Sequence, residues 1–507
     1  MIGSSLRVGV VHLDVEHGNA GRNRDQLVWL CRSAAAMGAK IICAPEMCVS
    51  GYVHNSRRDI APLLETAVGK TMETVRGVAV ESQAFIAVGL AEKDAATDVP
   101  YNSAFVIAPT GQTVCRYRKI NAESRWASPG EAAQNNVFRT PWGGVGLLIC
   151  SDSYHSLLPR VTAVKGASLI LLPCNWPKSD DGFPLSLWRL RAMENGVWLL
   201  AVNRGGREET IDFSKARSYL IEPNGTAAKG FASGVEERVR VYDIPLRIEG
   251  HVIDLRQDKL LKRQTNQYQR VYSNISRIKN LTTYLGLPGP GVLDVHALAP
   301  GETRNPAVYL AEVIETFKPG SLALLPLYRY TDDDLKSVNA LSKKSGVAVL
   351  GMRLGAQRPQ FFSSRLTGRP VASDMVLPVY EWGPARIMQA DLESLWHPEL
   401  AVSAAKNGVD LVVCSAMYLN GDDKTMLTLR PIDQVAVAAS SPSLALVSLI
   451  PQGHGPGRGS EALSGHVAAY PVDTGETRKK DFQELVDYPT LFGKPLLAGA
   501  WSTNTHS

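Results

Sequence analysis

Along the first half of the chain, short apolar runs alternate with segments whose apolar positions recur every three or four residues. Residues 6–13 predict a strand, and residues 23–37 carry their apolar side chains at helical spacing. Residues 40–44 predict a second strand that ends at Pro45 and runs into a loop through Ser50-Gly51-Tyr52. A helix over 70–83 precedes a strand over 85–89. Residues 103–107 and 113–118 read as an antiparallel pair about the turn Pro109-Thr110-Gly111. Then follow an apolar run over 145–150, a helix over 157–166, and strands over 168–173, 198–203, 216–221 and 227–231. Leucine-rich and β-branched runs set between helices predict an α/β protein with a mainly buried sheet.

The second half repeats the first in outline. WGGVGLLICSDSYHSLLPR from Trp142 resembles WGPARIMQADLESLWHPEL from Trp382, and setting Asp152 on Asp391 brings Pro159 onto Pro398. AKIICAPEM from Ala39 matches SLALLPLY from Ser321, and SQAFIAVGLAEK from Ser82 matches KSGVAVLGMRLG from Lys344. The turn Glu222-Pro223-Asn224-Gly225 matches Val472-Asp473-Thr474-Gly475. Matches in one order, at a period of about 240–280 residues, predict a tandem domain pair and exclude a short solenoid repeat. The expected division is a domain over 1–248, a basic connector over 249–280, and a second domain over 281–507. In the connector seven basic residues face three acidic ones. It reads as a solvated segment.

The 507 residues exceed one average domain, and 45% hydrophobic with 20% charged content fits a globular chain. A net charge of +5 spread over that length gives no indication of a nucleic-acid partner. No stretch reaches the ~18 consecutive apolar residues of a membrane span. The start of the chain lacks the pattern of a signal peptide, so a cytoplasmic location is expected. Seven cysteines without C-x-x-C spacing argue against a zinc site or a disulfide framework. No His pair has metal-ligand spacing, so neither metal nor cofactor is expected. The glycine-rich run Gly453–Ser460 lacks a phosphate-loop pattern and reads as a surface loop.

Three reactive side chains fall at the ends of first-half strands: Glu46 after Ile41–Pro45, Lys119 after Thr113–Arg118, and Cys150 after the run over 145–149. In APEMCVSGY, YRKI and LICSD they resemble the carbon–nitrogen hydrolase (nitrilase/amidase) superfamily. Tyr101-Asn102-Ser103-Ala104, Pro173-Cys174-Asn175-Trp176 and Asn203-Arg204 support the resemblance, which covers residues 6 to about 245. It implies a nitrilase-like αββα sandwich, here in two tandem copies forming an internal pseudo-dimer.

The same resemblance implies the chemistry. Cys150 would attack the carbonyl carbon and form a thioester, with Glu46 as general base and then acid. Lys119 would favour the thiolate and offset the oxyanion, and the Ser151 N–H would add an oxyanion donor. A second glutamate lies between the Lys and the Cys in the family; Glu123 is the candidate and Glu131 its rival. Tyr52, Tyr154, Asn175 and Trp176 are candidate substrate contacts. After the nucleophile the chain reads CSDSYHSLLPR, without the arginine of the family's Cys-x-Asp-x-Arg-Phe-Pro-Glu, and this implies an altered substrate pocket. The alignment sets Leu327 opposite Glu46 and Gln389 opposite Cys150, so the second domain is expected to be a degenerate copy. The expected activity is hydrolysis of a small amide or carbamoyl compound. A nitrilase, an acyltransferase and a regulatory binding protein on the same fold are the alternatives.

Overall fold

The computed structural model describes residues 2–179, 182–228, 230, 238–275, 277–355, 358–366, 377–452, 455 and 457–493. The chain forms two compact units, one of residues 1–262 with 485–507 and one of residues 263–484. The boundaries correct the sequence-based division: the expected connector over 249–280 is split between the units at Lys262, and the segment after Glu484 returns to the first unit. Of the glycine-rich run, Gly453, His454 and Pro456 lie outside the described residues.

In the first unit the strands are β1 (Ile2–Val11), β2 (Ile41–Cys43), β3 (Phe85–Lys93), β4 (Pro100–Ile107), β5 (Thr113–Arg118), β6 (Val137–Thr140), β7 (Gly143–Leu147), β8 (Ala167–Pro173), β9 (Trp198–Val202), β10 (Tyr219–Ile221) and β11 (Val239–Arg247). They form one sheet in the order β11-β1-β2-β3-β4-β5 and a second in the order β10-β9-β8-β7-β6. Strands β1, β2 and β3 run parallel, as do β7, β8 and β9, and the flanking strands are antiparallel. The central parallel strands are buried on both faces, which is why they read as continuous apolar runs. Edge strand β5 instead alternates, with Cys115 and Tyr117 inward.

Helices Ala20–Ala36 and Lys70–Ser82 cover one face of the first sheet. Leu27, Leu30, Ala34, Met72, Val75 and Ala79 pack on Val11, Ile42, Ala44, Ile86 and Val88. Helices Leu157–Val164 and Phe183–Asn195 lie against β8 and β9, and β3 touches β8 across the sheets, giving an αββα layering. The returning segment belongs to the outer layer. Its helix Tyr488–Phe492 packs on Leu157–Val164, and Asp487 pairs with Lys165 at 3.1 Å.

The second unit repeats this topology with β12 (Val292–Ala299), β13 (Leu322–Tyr328), β14 (Ala348–Arg353), β15 (Gln360–Ser364), β16 (Val379–Trp382), β17 (Ala385–Ala390), β18 (Leu411–Ser415), β19 (Ala436–Ser440), β20 (Leu444–Ser448), β21 (Gly459–Leu463) and β22 (His466–Asp473). Its sheets, β22-β12-β13-β14-β15 and β16-β17-β18-β19-β20-β21, keep the order and the parallel centres of the first pair. The period-2 rule is visible in β13. Leu322 and Leu324 enter the core between the sheets, and Ala323 and Leu325 enter the core under the outer helices. Residues 263–287, which follow the first unit's sheets in sequence, belong to this second unit: Arg263 pairs with Glu399 at 2.8 Å, and Lys406 donates to the Val271 carbonyl at 2.8 Å.

Candidate active site

Each reactive side chain stands where a strand of the first unit ends. Past β2 the backbone of Pro45-Glu46-Met47 crosses β3 at Gly89, where a Cβ would sit 2.6 Å from the Pro45 carbonyl oxygen and 2.7 Å from Glu46 Cα. Only glycine permits that approach. Lys119 follows β5, its N–H donating to the Asn102 carbonyl at 2.8 Å. Cys150 opens a 3-10 turn, Cys150–Ser153, after β7 and holds a φ of 46°, a conformation uncommon for a residue with a side chain.

These ends converge. Lys119 Nζ donates to Glu46 Oε1 at 2.7 Å and to Glu123 Oε1 at 2.5 Å. Asn102 Nδ2 ties the same carboxylates together, donating to Glu46 Oε1 at 2.8 Å and Glu123 Oε2 at 3.0 Å. The Tyr52 hydroxyl donates to Glu123 at 3.2 Å, and Asn175 Nδ2 donates to the Glu46 carbonyl at 3.0 Å. Glu46 and Lys119 are 0% and 1% exposed, and Cys150 is 5% exposed. Glu46 Oε2, also buried, has no hydrogen-bond partner among the described residues. Of the two rival glutamates, the structure brings Glu123 to Lys119 and leaves Glu131 exposed.

Burial sets the charges of this cluster. It pushes the Glu46 carboxyl upward; Lys119 pulls the other way, Glu123 adds to the rise, and the net direction is up. For Glu123 burial also pushes up, but the Lys119 ammonium and the hydrogen bonds from Asn102 and Lys119 outweigh it and hold this carboxyl below the usual range. Burial works against the Lys119 ammonium, yet Glu123 and Glu46 raise it well above an ordinary lysine. Lys119 thus pairs with both carboxylates, of which Glu123 is held down and Glu46 pushed up.

Asp152 holds the turn of Cys150. It accepts from Tyr117 Oη and Asn121 N, each at 2.9 Å, and from Ile149 N at 3.3 Å, and burial pushes its carboxyl up to about 6. Ser153 Oγ donates to the Cys150 carbonyl at 2.7 Å. The expected oxyanion donor, Ser151 N–H, makes no backbone hydrogen bond among the described residues. Cys174 lies within hydrogen-bonding reach of the Cys150 thiol.

Among the expected substrate contacts, Tyr154 is buried with its ring 6.3 Å from Phe183, and Phe183 lies 6.0 Å from Trp176. Trp176, Trp188, Asn203 and Tyr219 contribute to a cavity of about 280 Å³ beside these rings. Asn102, Tyr117 and Asp152 join the site without a role predicted from sequence; the signal for them is that each lies in a family-like string, Tyr101-Asn102-Ser103-Ala104, YRKI or LICSD. Glu208 was missed as well. Its buried carboxylate pairs with Arg204 and accepts from Tyr52 N at 2.9 Å and Val53 N at 2.7 Å, pinning the loop that starts at Glu46.

The family pattern described as Carbon-nitrogen hydrolase matches residues 7–249. A protein named Nitrilase from Pyrococcus abyssi is 30% identical over 48% of this chain and 90% of its own. The chain belongs to the carbon–nitrogen hydrolase family. Omega-amidase NIT2 of Mus musculus is 28% identical over 48% of this chain and 90% of its own. A solved amidase from Nesterenkonia sp. aligns at 22% identity and TM-score 0.44, covering 53% of this chain and 97% of that one.

As a carbon–nitrogen hydrolase the chain is an enzyme that acts on C–N bonds, with an amide or nitrile substrate at the level of the family. Strand register corrects one point about its second unit. Gln389 N donates to the Pro378 carbonyl at 2.9 Å, as Leu147 N donates to Asn136 O at 2.8 Å, each at the same place beside its edge strand. Gln389 is therefore the counterpart of Leu147, inside the strand, and the position three residues on, where Cys150 stands in the first unit, is Leu392. The sequence alignment slipped because it set Pro398, the first residue of helix Pro398–Lys406, on Pro159, the third residue of Leu157–Val164, a helix that also begins one residue later in its unit. No thiol stands at either position. Among the described residues no helix is long and apolar enough to cross a membrane, and no His, Cys, Asp and Glu cluster is placed to hold a metal ion.

Proposed function

We propose that this enzyme hydrolyses a small amide or carbamoyl compound through a thioester on Cys150. Glu46 accepts the thiol proton as sulfur bonds to the carbonyl carbon. Lys119 and the Ser151 N–H stabilise the oxyanion; the C–N bond then breaks, and the amine leaves with the proton held by Glu46. Water, deprotonated by the same carboxylate, attacks the thioester and releases the acid. The observation that carries this reading is the division of labour on Glu46: Oε1 is fixed by Lys119 and Asn102, while the buried Oε2 is open. Glu123 anchors Lys119.

The neighbouring aromatic side chains Tyr154, Phe183 and Trp176 favour a small acyl or carbamoyl group. A cytoplasmic, reducing setting suits seven buried free thiols. The recurrence of strand order and the exchange of trailing segments support a second reading, that residues 263–484 replace the second subunit of a dimer.

The test is ammonia release over amides, carbamoyl compounds and nitriles, with mass spectrometry of the enzyme during turnover. An acyl adduct on Cys150, and its absence in Cys150→Ala together with turnover, is expected. Nitriles turned over in preference to amides would assign a nitrilase. Acyl transfer to an added amine in preference to water would assign an acyltransferase, and no adduct with any compound would leave a binding protein.

A further inference from the structure

The strained turn that presents Cys150 is gripped from a distant helix. Arg191, on Phe183–Asn195, is 1% exposed. Its Nε donates to the Ser153 carbonyl at 2.7 Å and its Nη2 to the Tyr154 carbonyl at 2.8 Å. The third arm, Nη1, pairs with Glu194 at 2.7 Å. Ser153, whose carbonyl Arg191 holds, returns its own hydroxyl to the Cys150 carbonyl. A planar guanidinium bridges two successive carbonyls in a way that the single point of an ammonium does not. A residue with a Cβ held at positive φ persists only where its surroundings over-determine it, at a cost of about 1–3 kcal/mol.

We propose that Arg191 is a positioning residue for the reaction: it locks the turn 150–154 and so aims the Cys150 thiol. This rests on Cys150 being the nucleophile. At the turn Arg191 binds backbone carbonyls, so its influence on the reaction runs through the orientation of the thiol, while its pairing with Glu194 serves the packing of the helix. The two roles are separable. Arg191→Lys keeps a cation beside Glu194 and loses the two-carbonyl bridge. Glu194→Gln keeps the bridge and loses the buried ion pair.

The experiment measures kcat, KM, thermal midpoint and the rate of Cys150 alkylation by iodoacetamide for both variants of the full chain. Arg191→Lys is expected to lower kcat at least 10-fold with KM within twofold, and to slow alkylation of Cys150 by a similar factor. Glu194→Gln is expected to lower the thermal midpoint while leaving kcat and alkylation within twofold of wild type. Equal losses of kcat in the two variants, or wild-type alkylation in Arg191→Lys, would overturn the proposal. Alkylation needs no substrate. If the wild type turned over no compound in the panel, the hydrolase reading would fall while the alkylation rates still decided the role of Arg191.

Discussion

Removing the Lys119 ammonium tests the charge logic of the site most directly. Lys119 is 1% exposed between two carboxylates at 2.7 and 2.5 Å, so Lys119→Met leaves Glu46 and Glu123 buried, bridged by Asn102 and without a cation. Breaking a buried ion pair from one side costs about 3–5 kcal/mol. Adding Glu123→Gln restores the net charge of the wild-type cluster, so Lys119→Met/Glu123→Gln should recover about 1–3 kcal/mol of that loss. The direction with pH follows. With the ammonium gone, both folded-state carboxyls rise above their unfolded values. Stability is then fullest at low pH and is lost as pH climbs through the raised values. Urea unfolding of the full chain at pH 5 and pH 7 should therefore show Lys119→Met closer to wild type at pH 5. All Lys119 variants should lose at least about 10²-fold in kcat. A Lys119→Met protein within 1 kcal/mol of wild type at pH 7, or a double variant whose effect is the plain total of the singles, would refute the reasoning.

The acid limb of kcat/KM should lie above that of an ordinary glutamate, because burial raises Glu46. Asn102→Ala removes a bond that favours the ionised form, and should move the limb to higher pH; an unmoved limb would show that another group titrates. Gly89→Ala places a Cβ 2.6 Å from the Pro45 carbonyl oxygen and should cost about 1–3 kcal/mol with a fall in kcat as Glu46 is displaced, and wild-type kinetics would contradict the crossing described. Gln389→Ala strands the Gly351 carbonyl that Gln389 Nε2 reaches at 2.7 Å, so unfolding of the second unit should shift by about 1–3 kcal/mol with kcat within twofold. Loss of turnover in a folded Gln389→Ala protein would show that the second unit serves the chemistry.

Glu46, Lys119 and Cys150 stand out in the sequence because each follows a predicted strand and lies in a family-like string, APEMCVSGY, YRKI or LICSD, even though β5 alternates and forms no apolar run. Glu123 and Glu131 were not separable, since both lie in loops and the choice is made by Asn102, which reaches Glu123 from another strand. Helix Phe183–Asn195 escaped notice for a physical reason: it is buried on nearly all sides, including Arg191, Glu194 and Asn195, so no amphipathic stripe marks it. Strand β11 was hidden by the opposite fault, because only part of its face is buried. Of the strand expected over 227–231, Ala227 bridges Ile221, and Lys229 and Phe231 lie outside the described residues. The recurrence of the elements in one order was legible as a duplication. The three-residue slip at Gln389 was not, because the matched prolines Pro159 and Pro398 stand at different positions in their helices.

The helix that packs on Leu157–Val164 comes from residues 488–492, which the ribosome makes only after all of residues 263–484. At about 5–20 residues per second, the roughly 220 residues of the second unit take some tens of seconds to emerge. Throughout that interval the nascent first unit already has Cys150, Glu46 and Lys119, but the helix that follows the Cys150 turn lacks its neighbour. A transcript cut short anywhere in the second half yields the same unfinished state. Completion of the half that bears Cys150 is thus timed by translation of the half without a counterpart to it.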